Sequence, residues 1–388
     1  AVEQAVINLT NTSNGQRYST RSGSDGRFFF ENAQVGGPYT LEVRALGFAP
    51  EQATGINLSL GQRFVRDFSL KRTAVEVAGI TVSANENPLL SPSRTGASGT
   101  VTGDVISRLP TLGRNFSDFV STIPQVVSAG VPGTSLGGQN NRFNNIQIDG
   151  GVNNDLFGLA AGGTPGGQAN AHPISVEAIK EYQVLIAPFD VRQGGFTGGL
   201  VNAVTKSGTN TFHGSLFGYA FNQSLVRDTV PGDSVSGVPR RVVGLPKQTD
   251  LTQNQYGGSL SGPILRNRLQ FFGSVDIQHR VAPFTGAIIG TNPAGGADSV
   301  GIGITYATAS RVQQILQSQY GFDPGGPGAP DIRNPDKNIF VKLNGEVNAS
   351  HHAEVSYNYV DASQDNLTHN STATGFRDGY QLSNSGSL

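Results

Sequence analysis

The residues Gly133-Thr134-Ser135-Leu136-Gly137 match the G-x-S-x-G pattern, in which a serine acts as a nucleophile. That chemistry requires a strand before the serine and a helix after it, because the sharp turn between them exposes the hydroxyl group. Here the motif lies within the glycine-rich stretch GVPGTSLGGQNN, which predicts a loop. The context therefore favours a loop over a catalytic serine, and no HExxH, Walker or dinucleotide motif is present.

A second stretch, IDGGVNND, offers four side-chain oxygen donors, those of Asp149, Asn153, Asn154 and Asp155. Oxygen ligands at this spacing could hold Ca²⁺. Asn, Asp and Gly are also the residues that tolerate unusual backbone dihedrals in turns. We therefore predict a turn, with a calcium site as the alternative.

His351 and His352 are the remaining candidates for metal binding. Adjacent residues on a strand point to opposite faces, so the two rings are not expected to chelate one ion. A solvated hairpin turn is the favoured interpretation. The sequence predicts no catalytic residue, no metal site and no cofactor.

Composition narrows the class of protein. Charged residues make up only 14% of the 388 residues, and the net charge of −1 argues against a general nucleic-acid binder. The absence of Cys excludes disulfides and thiolate metal sites. No run of 18 apolar residues occurs, so a membrane protein would have to be a β-barrel or associate with the surface.

Residues 1–72 predict a small β-sandwich. Five short runs with β character are separated by turn residues: AVINLTN, QRYSTRS, RFFFEN, YTLEVRAL and RFVRDFSL. Phe64, Phe68 and Leu70 share one side of the last run. Residues 73–100 contain one β-prone run followed by Pro, Ser and Gly, which is typical of a linker.

Residues 101–208 predict a small α/β domain with long glycine-rich loops. VTGDVISRLP and NFSDFVSTIP are short helix candidates, each ended by a proline. NNIQIDG, EYQVLIAP and LVNAVTKSG predict strands. Ser175 is placed to cap a short helix over VEAIK.

From residue 209 onward, five segments alternate strictly between apolar and polar residues: HGSLFGYAFN, QYGGSLSGPI, LQFFGSVDIQHR, NIFVKLNGEVN and AEVSYNYV. Short connections around 266–267 and 350–351 alternate with long loops over 223–253 and 281–337, one of which contains the predicted helix ATASRVQQILQSQY. Spanning strands joined in this way are typical of outer-membrane barrels. A soluble antiparallel sheet also alternates and remains the alternative.

The first of these strands predicts which side chains meet lipid. Phe217, Tyr219 and Phe221 share one side, and the other side carries Gly214, Leu216, Gly218 and Ala220. We expect the aromatic row to face lipid and the smaller residues to face the lumen.

The chain resembles TonB-dependent outer-membrane receptors that begin with a carboxypeptidase-regulatory-like domain. SGSDGRFFFENAQVGGPYTLEVRALGF resembles the regulatory domain. Three stretches resemble the plug domain and its run into the first barrel strand: LPTLGRNFSDFVSTIPQV, NNIQIDGGVNND and ISVEAIKEYQVLIAPFDVRQGGFTGGLVNAVTKSGTNTFHGSLF. The implied fold is mainly β: an N-terminal sandwich (1–72), a linker (73–100), a plug (101–208) and the first five or six strands of an incomplete barrel (209–388).

Length is the departure from this family. Such a receptor closes with about 22 strands, and family members carry a signal peptide, which is not visible here. The chain also contains no Met. It is therefore expected to be an N-terminal fragment, trimmed at both ends.

The resemblance implies energised uptake, in which the inner-membrane TonB protein pulls on an extended segment ahead of the plug. EVAGITVSA, residues 76–84, occupies that place, and Glu76, Val77, Ile80 and Val82 are the predicted TonB contacts. A short β-prone run in a linker is independently suited to pairing with a partner as an added strand. The alternative is that Val77, Ile80 and Val82 form the last strand of the sandwich.

Ligand contacts are expected on outward loops of the plug, around 143–145 and 155–172. The named candidates are Phe143, Asn145, Asp155, Phe157 and His172. No charge cluster identifies the ligand, so siderophores, oligosaccharides, peptides and vitamins all remain open.

Arg114, within LGRNF, is expected to pack or to form an ion pair inside the plug. Paired with a carboxylate such as Glu177, Glu181 or Asp190, it would let the plug be held and yet released.

These expectations describe a transporter component rather than an enzyme. It would lie in the outer membrane, with periplasmic N-terminal domains and the plug within the barrel. Its partners would be the periplasmic domain of TonB, an extracellular ligand and outer-membrane lipid, but not nucleic acid. The alternative is a secreted or surface β-protein that binds carbohydrate without transporting it.

Overall fold

The protein is mainly β, and its described residues form three principal sheets. The structure, a computed structural model, describes residues 1–31, 33–59, 63–72, 80–83, 97–109, 111, 113–127, 134–157, 160, 162–186, 194–225, 251–283, 306–325, 331–348, 351–367 and 379–387. We call residues 1–83 the N-terminal domain, residues 97–212 the central domain, and the six-stranded sheet that follows the C-terminal sheet.

The N-terminal domain is built on one five-stranded sheet. Its strands are β1 (Val6–Asn11), β2 (Arg17–Arg21), β3 (Gly36–Arg44), β4 (Glu51–Leu58) and β5 (Ile80–Ser83), in the order β2-β1-β3-β4-β5. Alternate residues of β1 and β3 point into one core, which contains Ile7, Leu9, Tyr39, Leu41 and Val43. The period-2 pattern of the sequence therefore sets which side chains are buried.

Two of the predicted strands in this domain are wrong. The described residues of RFFFEN and RFVRDFSL form no strand, although Phe28, Phe30, Phe64 and Phe68 alternate inward and pack on the core of the sheet. Alternation decides which side chains face inward, but a strand also needs a neighbouring strand with which its backbone can form hydrogen bonds in register. The prediction also missed β4, in which Gly55 at φ +76° interrupts a largely polar run.

The central domain contains a mixed sheet with the order β10-β9-β12-β11-β6. Its strands are β6 (Ala97–Thr102), β9 (Asn145–Ile148), β10 (Gly151–Val152), β11 (Ile179–Ile186) and β12 (Gly199–Thr205), and β7 (Val126–Val127) pairs separately with β8 (Ser135–Leu136). β6 begins inside the predicted linker. The strands predicted over NNIQIDG, EYQVLIAP and LVNAVTKSG are confirmed as β9, β11 and β12.

Both predicted helices of the central domain are confirmed, and both are short. They are α1 (Gly103–Arg108) and α2 (Phe116–Val120). Asn115 and Asp118 form a reciprocal capping box that starts α2 and satisfies backbone N–H groups at its first turn. Ser175 caps a single 3₁₀ turn, Val176–Ala178, in place of the predicted longer helix.

The C-terminal sheet is an antiparallel meander of six strands. They are β13 (His213–Asn222), β14 (Thr252–Leu265), β15 (Leu269–Pro283), β16 (Asp331–Asn348), β17 (His351–Leu367) and β18 (Gly379–Ser387), each paired with the next along the chain. The five predicted strands are confirmed, and β18 is an addition. The helix predicted in the loop between β15 and β16 is confirmed as α3 (Tyr306–Tyr320).

One face of the C-terminal sheet packs on the central domain, and we call this the inner face. Phe272 and Phe340 of the sheet lie in the same core as Phe119 and Tyr182 of the central domain. The outer face carries exposed apolar side chains, among them Leu216, Tyr256, Leu260, Ile264, Val275, Ile339, Val341, Leu343, Val355 and Tyr357. For β14 to β17, these faces match the predicted alternation.

On β13 the predicted orientation is wrong. Phe217 and Tyr219 lie on the inner face, where the guanidinium of Arg114 covers both rings. Ser215, in the same row, also hydrogen-bonds to the central domain. Leu216 points away and is 94% exposed. The aromatic row is therefore on the inner face, and the row of small residues is on the outer face.

The pairing of β14 with β13 explains why the aromatic residues of β13 led to a wrong prediction of its lipid-facing side. On the outer face Tyr256 lies opposite Gly218, and Leu260 lies opposite Gly214. Large apolar side chains from β14 thus flank the small residues of β13. On the inner face, Phe217 lies opposite Gly257, where a Cβ atom would clash with the Phe217 ring and the Val275 carbonyl.

Within the described residues, no helix is long and apolar enough to cross a membrane.

Candidate functional site: the polar inner face

The inner face of the C-terminal sheet is polar and buried. Its buried polar residues include Gln255, Gln270, Asp276, Asn334, Asp336, Asn338, Lys342, Asn344 and Asn358. Buried polar groups need hydrogen-bond partners, because leaving one unpaired costs about 1–3 kcal/mol. Many of the partners are supplied by the central domain, which makes the contact between the two a hydrogen-bonded interface.

Asp276 is one anchor of this interface. Its carboxylate accepts a hydrogen bond of 2.7 Å from the Ser175 hydroxyl of the central domain. Nε2 of Gln255, on the neighbouring strand, donates to both oxygens of Asp276 at 3.1 and 3.0 Å. Ser175 also accepts from the Glu177 backbone N–H at 3.2 Å, so one hydroxyl starts the 3₁₀ turn and binds the sheet.

Glu177 reaches the sheet from the same turn. Its Oε1 atom accepts hydrogen bonds from the hydroxyls of Ser215 and Ser259, which lie opposite each other on β13 and β14. Lys206 Nζ lies 3.5 Å from the same oxygen. A single carboxylate thereby joins two strands of the sheet to the central domain.

Lys342 makes a buried ionic contact near the end of the sheet at which β14 turns into β15, which we call the short-turn end. Its Nζ atom lies 3.1 Å from Asp149 Oδ2 in the central domain and 2.6 Å from Glu354 Oε1 on β17. It also donates to Thr205 Oγ1 at 2.9 Å. The Lys342 side chain is only 3% exposed, so the charge depends on these partners.

A third group of contacts lies toward the opposite end of the sheet, where β16 begins at Asp331, which we call the long-loop end. Asn170 Nδ2 donates to Asn334 Oδ1 at 2.9 Å. The backbone N–H of His172 donates to Asp336 Oδ2 at 2.9 Å, and the His172 Nδ1 atom lies 3.3 Å from the same oxygen. Asn358 Nδ2 on β17 donates to the Pro173 carbonyl at 2.7 Å.

Arg114 contacts aromatic rings, and within the described residues no ion pair joins it to a carboxylate. Its guanidinium carbon lies 4.4 Å from the centre of the Tyr219 ring and 5.3 Å from that of Phe217. Its NH1 atom donates to the Tyr219 hydroxyl at 2.9 Å. Of the proposed partners, Glu177 is held by other residues, and Asp190 lies outside the described residues.

The predicted ligand contacts divide into exposed and structural positions. Phe143 and Phe157 are 53% and 83% exposed. Asn145 is buried, and its amide donates to the Gly194 carbonyl and accepts from Asn154. Asp155 accepts from the backbone N–H groups of Phe157 and Ala160, which holds its loop closed. His172 contacts the sheet, as described above.

The stretch IDGGVNND folds as the predicted turn. Asp149 has φ +49° and Gly150 φ +82°, and the carboxylate of Asp149 accepts from the backbone and hydroxyl of Thr205. Asn154 accepts from the Ile146 backbone N–H. No cluster of potential metal ligands occurs among the described residues.

Ser135 does not occupy a nucleophile elbow. It lies in the two-residue strand β8, and β8 is followed by a turn with Gly137 and Gly138 at positive φ. His351 and His352 open β17 beside the short turn. His351 hydrogen-bonds to Asn348, and the His352 ring lies 5.1 Å from the Tyr18 ring of the N-terminal domain.

The predicted TonB segment is described only in part. Ile80 and Val82 belong to β5, which pairs in parallel with β4 at the edge of the N-terminal sheet. Glu76 and Val77 lie outside the described residues. For Ile80 and Val82, this pairing fits the alternative in which they belong to the last strand of the N-terminal fold.

The N-terminal domain lies against the short-turn end of the C-terminal sheet and against the central domain. Gln270 Nε2 donates to the Asn14 carbonyl at 3.1 Å. Lys180 of β11 donates through Nζ to the Val35 carbonyl at 2.8 Å. Burial lowers the pKa of Lys180, an effect opposed by the nearby Glu181 carboxylate. One charged side chain thus joins the N-terminal and central domains.

Comparison with known families agrees with this architecture. Residues 1–71 match the carboxypeptidase regulatory-like domain, and residues 204–293 match an outer membrane beta barrel domain. The predicted resemblance to TonB-dependent outer-membrane receptors with an N-terminal regulatory-like domain is confirmed, and the protein is located in the outer membrane.

Individual relatives are transporters and receptors. The TonB-dependent transporter Oar of Myxococcus xanthus is 27% identical over 261 residues, covering 61% of this chain and 21% of that protein. The probable TonB-dependent siderophore receptor PirA of Acinetobacter baumannii is 27% identical over 183 residues, covering 44% of this chain and 21% of that protein. The crystal structure of the outer membrane transporter YddB from Escherichia coli aligns over 70% of this chain and 34% of its own, with 16% identity and a TM-score of 0.47.

Proposed function

We propose that the protein takes up a ligand across the outer membrane by a TonB-dependent mechanism, with the central domain as the plug of the barrel. The observation that carries this proposal is the polar inner face, where Asp276, Glu177 and Lys342 bind the sheet to the central domain. Each such contact contributes about 0.5–3 kcal/mol net, because water can replace either partner. An interface of this kind holds a domain in place and still allows it to be displaced.

The ligand would meet the plug at its long-loop end. Asn170 and His172 contact β16 close to its first residues, so the loop before them lies toward that end of the sheet. Leu156 and Phe157 in the same loop are 89% and 83% exposed. Of the predicted ligand residues, Phe143 and Phe157 are the two with side chains free to contact a ligand. A relative is named as a siderophore receptor, and a siderophore is the ligand class we propose to test first.

TonB would engage β5. This strand is at the edge of its sheet, and an edge strand can pair with an incoming strand through main-chain hydrogen bonds. Force applied to β5 acts on the N-terminal domain, which Lys180 joins to the central domain. Pulling on β5 would thus be transmitted to the interface between plug and sheet.

Site-directed cross-linking tests this engagement. Because the chain contains no Cys, Val82→Cys introduces a single thiol, which can be paired with cysteine variants of the TonB periplasmic domain. We expect a disulfide adduct with Val82→Cys and none with Thr54→Cys, on the neighbouring inner strand β4. Equal adducts at both positions, or none at either, would contradict the proposed contact. Glycan binding without any TonB adduct would favour the surface-binding alternative.

A further inference from the structure

A cavity of about 660 Å³ lies where the N-terminal domain meets the short-turn end of the C-terminal sheet. We call it the rim cavity. Its walls are Tyr18, Glu31 and neighbouring residues on one side, and Asn344, Glu346 and Glu354 on the other. Its volume falls in the range of small-molecule sites, about 300–1,000 Å³. The cavity borders the polar inner face through Asn344 and Glu354, and the proposed uptake mechanism assigns it no role.

The two walls are held together by direct contacts. Gln34 Nε2 donates to Glu354 Oε2 at 3.3 Å, and the Tyr18 ring lies 5.1 Å from that of His352. Nearby, the backbone N–H of Asn210 donates to the Ser13 carbonyl at 2.8 Å. The cavity is therefore formed by two fixed surfaces of the folded chain.

The charged residues that line the cavity are acidic. Glu31, Glu346 and Glu354 face it, and none of the described lining residues is Lys or Arg. Lys342 neutralises Glu354 from behind the wall, at 2.6 Å. Glu31 and Glu346 are left without an ion pair in the described part of the chain, so the cavity is expected to have a negative potential.

A buried amide oxygen independently indicates a missing donor. Asn344 is 8% exposed and lines the cavity, and its Oδ1 atom has no hydrogen-bond partner. Its Nδ2 atom donates to Glu354 Oε2 at 2.8 Å, which identifies the unpaired atom as the oxygen. The buried Gln16 Oε1 atom, also in the lining, is unpaired as well. An unpaired buried acceptor costs free energy that a bound donor would recover.

We propose that the rim cavity binds an organic cation with several N–H donors, specifically the guanidinium group of an arginine side chain in a peptide. A guanidinium carries five donors and a permanent charge, which suits two free carboxylates and two unpaired amide oxygens. It also stacks on aromatic rings, and Tyr18 and Phe30 line the same space. A neutral ligand of the same shape would leave both carboxylates uncompensated.

Calorimetric titration of the purified protein in detergent tests the proposal. The probe is N-acetyl-arginine amide, and the matched neutral probe is N-acetyl-citrulline amide. We expect the arginine probe to bind and the citrulline probe to bind at least about tenfold more weakly, since a charge-assisted hydrogen bond contributes more than a neutral one. The double variant Glu31→Gln/Glu346→Gln should weaken arginine binding about tenfold or more.

Glu3→Gln is the control for charge removal outside the cavity, because it neutralises one exposed carboxylate of the N-terminal domain, whereas the double variant neutralises two in the cavity wall. It should leave the affinity unchanged. Absence of arginine binding, equal binding of both probes, or equal effects of the double variant and Glu3→Gln would each overturn the proposal. The readout does not involve TonB or uptake, so it stands or fails separately from the proposed transport function.

Discussion

The Arg114 guanidinium and the Tyr219 hydroxyl are joined by a 2.9 Å hydrogen bond, with the guanidinium carbon 4.4 Å from the centre of the same ring. This contact connects the start of α2 with the first strand of the C-terminal sheet. It also explains why the aromatic row of β13 lies on the inner face, since an aromatic face attracts a cation that is partly removed from water.

Replacing Arg114 should weaken the attachment of the central domain. Arg114→Ala removes a cation–π contact and a hydrogen bond, and we expect a loss of about 1–2 kcal/mol in the free energy of unfolding. Tyr219→Phe keeps the ring and should lose only about 0.5–1.5 kcal/mol. Urea unfolding of the protein in detergent measures both. Identical stability of Arg114→Ala and the unmodified protein would show that the contact is not stabilising.

The assignment of faces on β13 can be tested with fluorescence, because the chain contains no Trp. Leu216→Trp places an indole on the outer face and Phe217→Trp places one on the inner face. In vesicles that contain brominated phospholipid, the first should be quenched strongly and the second weakly. The reverse result would restore the original prediction that the aromatic row faces lipid.

Lys342 should be the most sensitive charged residue of the inner face. Lys342→Met leaves Asp149 and Glu354 without their shared cation, and we expect a loss of about 1–3 kcal/mol in the free energy of unfolding. Lys337→Met changes an exposed residue of the same strand and should cost less than about 0.5 kcal/mol. In the Asp149→Asn background, Lys342→Met should have a smaller effect. Strict additivity of the two changes would argue against a direct interaction.

Lys180 should make stability depend on pH in the alkaline range. Its pKa is lowered by burial in the folded protein, so between that pKa and the ordinary value of 10.5 the unfolded chain binds more protons than the folded one. Stability is therefore penalised below the lowered pKa and rises with pH through this window. We expect the free energy of unfolding of the unmodified protein to rise relative to that of Lys180→Met as the pH increases toward 10. Parallel pH profiles for the two proteins would contradict a perturbed Lys180.

Local patterns in the sequence determined most strands and helices of this protein, with β4 among the exceptions. Alternation over HGSLFGYAFN and the four segments after it predicted five strands of the C-terminal sheet, and α3 followed from the spacing of its apolar residues. Motif context likewise predicted the turn at Asp149 and the absence of an elbow at Ser135. These features depend on residues within a few positions of one another, which is the range over which backbone preference and side-chain period act.

Tertiary structure alone decided what each face contacts. Phe217 faces inward because Arg114, about a hundred positions earlier, covers its ring and because β14 contributes Tyr256 and Leu260 to the outer face. In the same way Lys342 finds Asp149, and His172 finds Asp336, across the interface between the central domain and the sheet. Period-2 alternation predicts that the two faces of a strand differ, but long-range register and packing determine which face is buried.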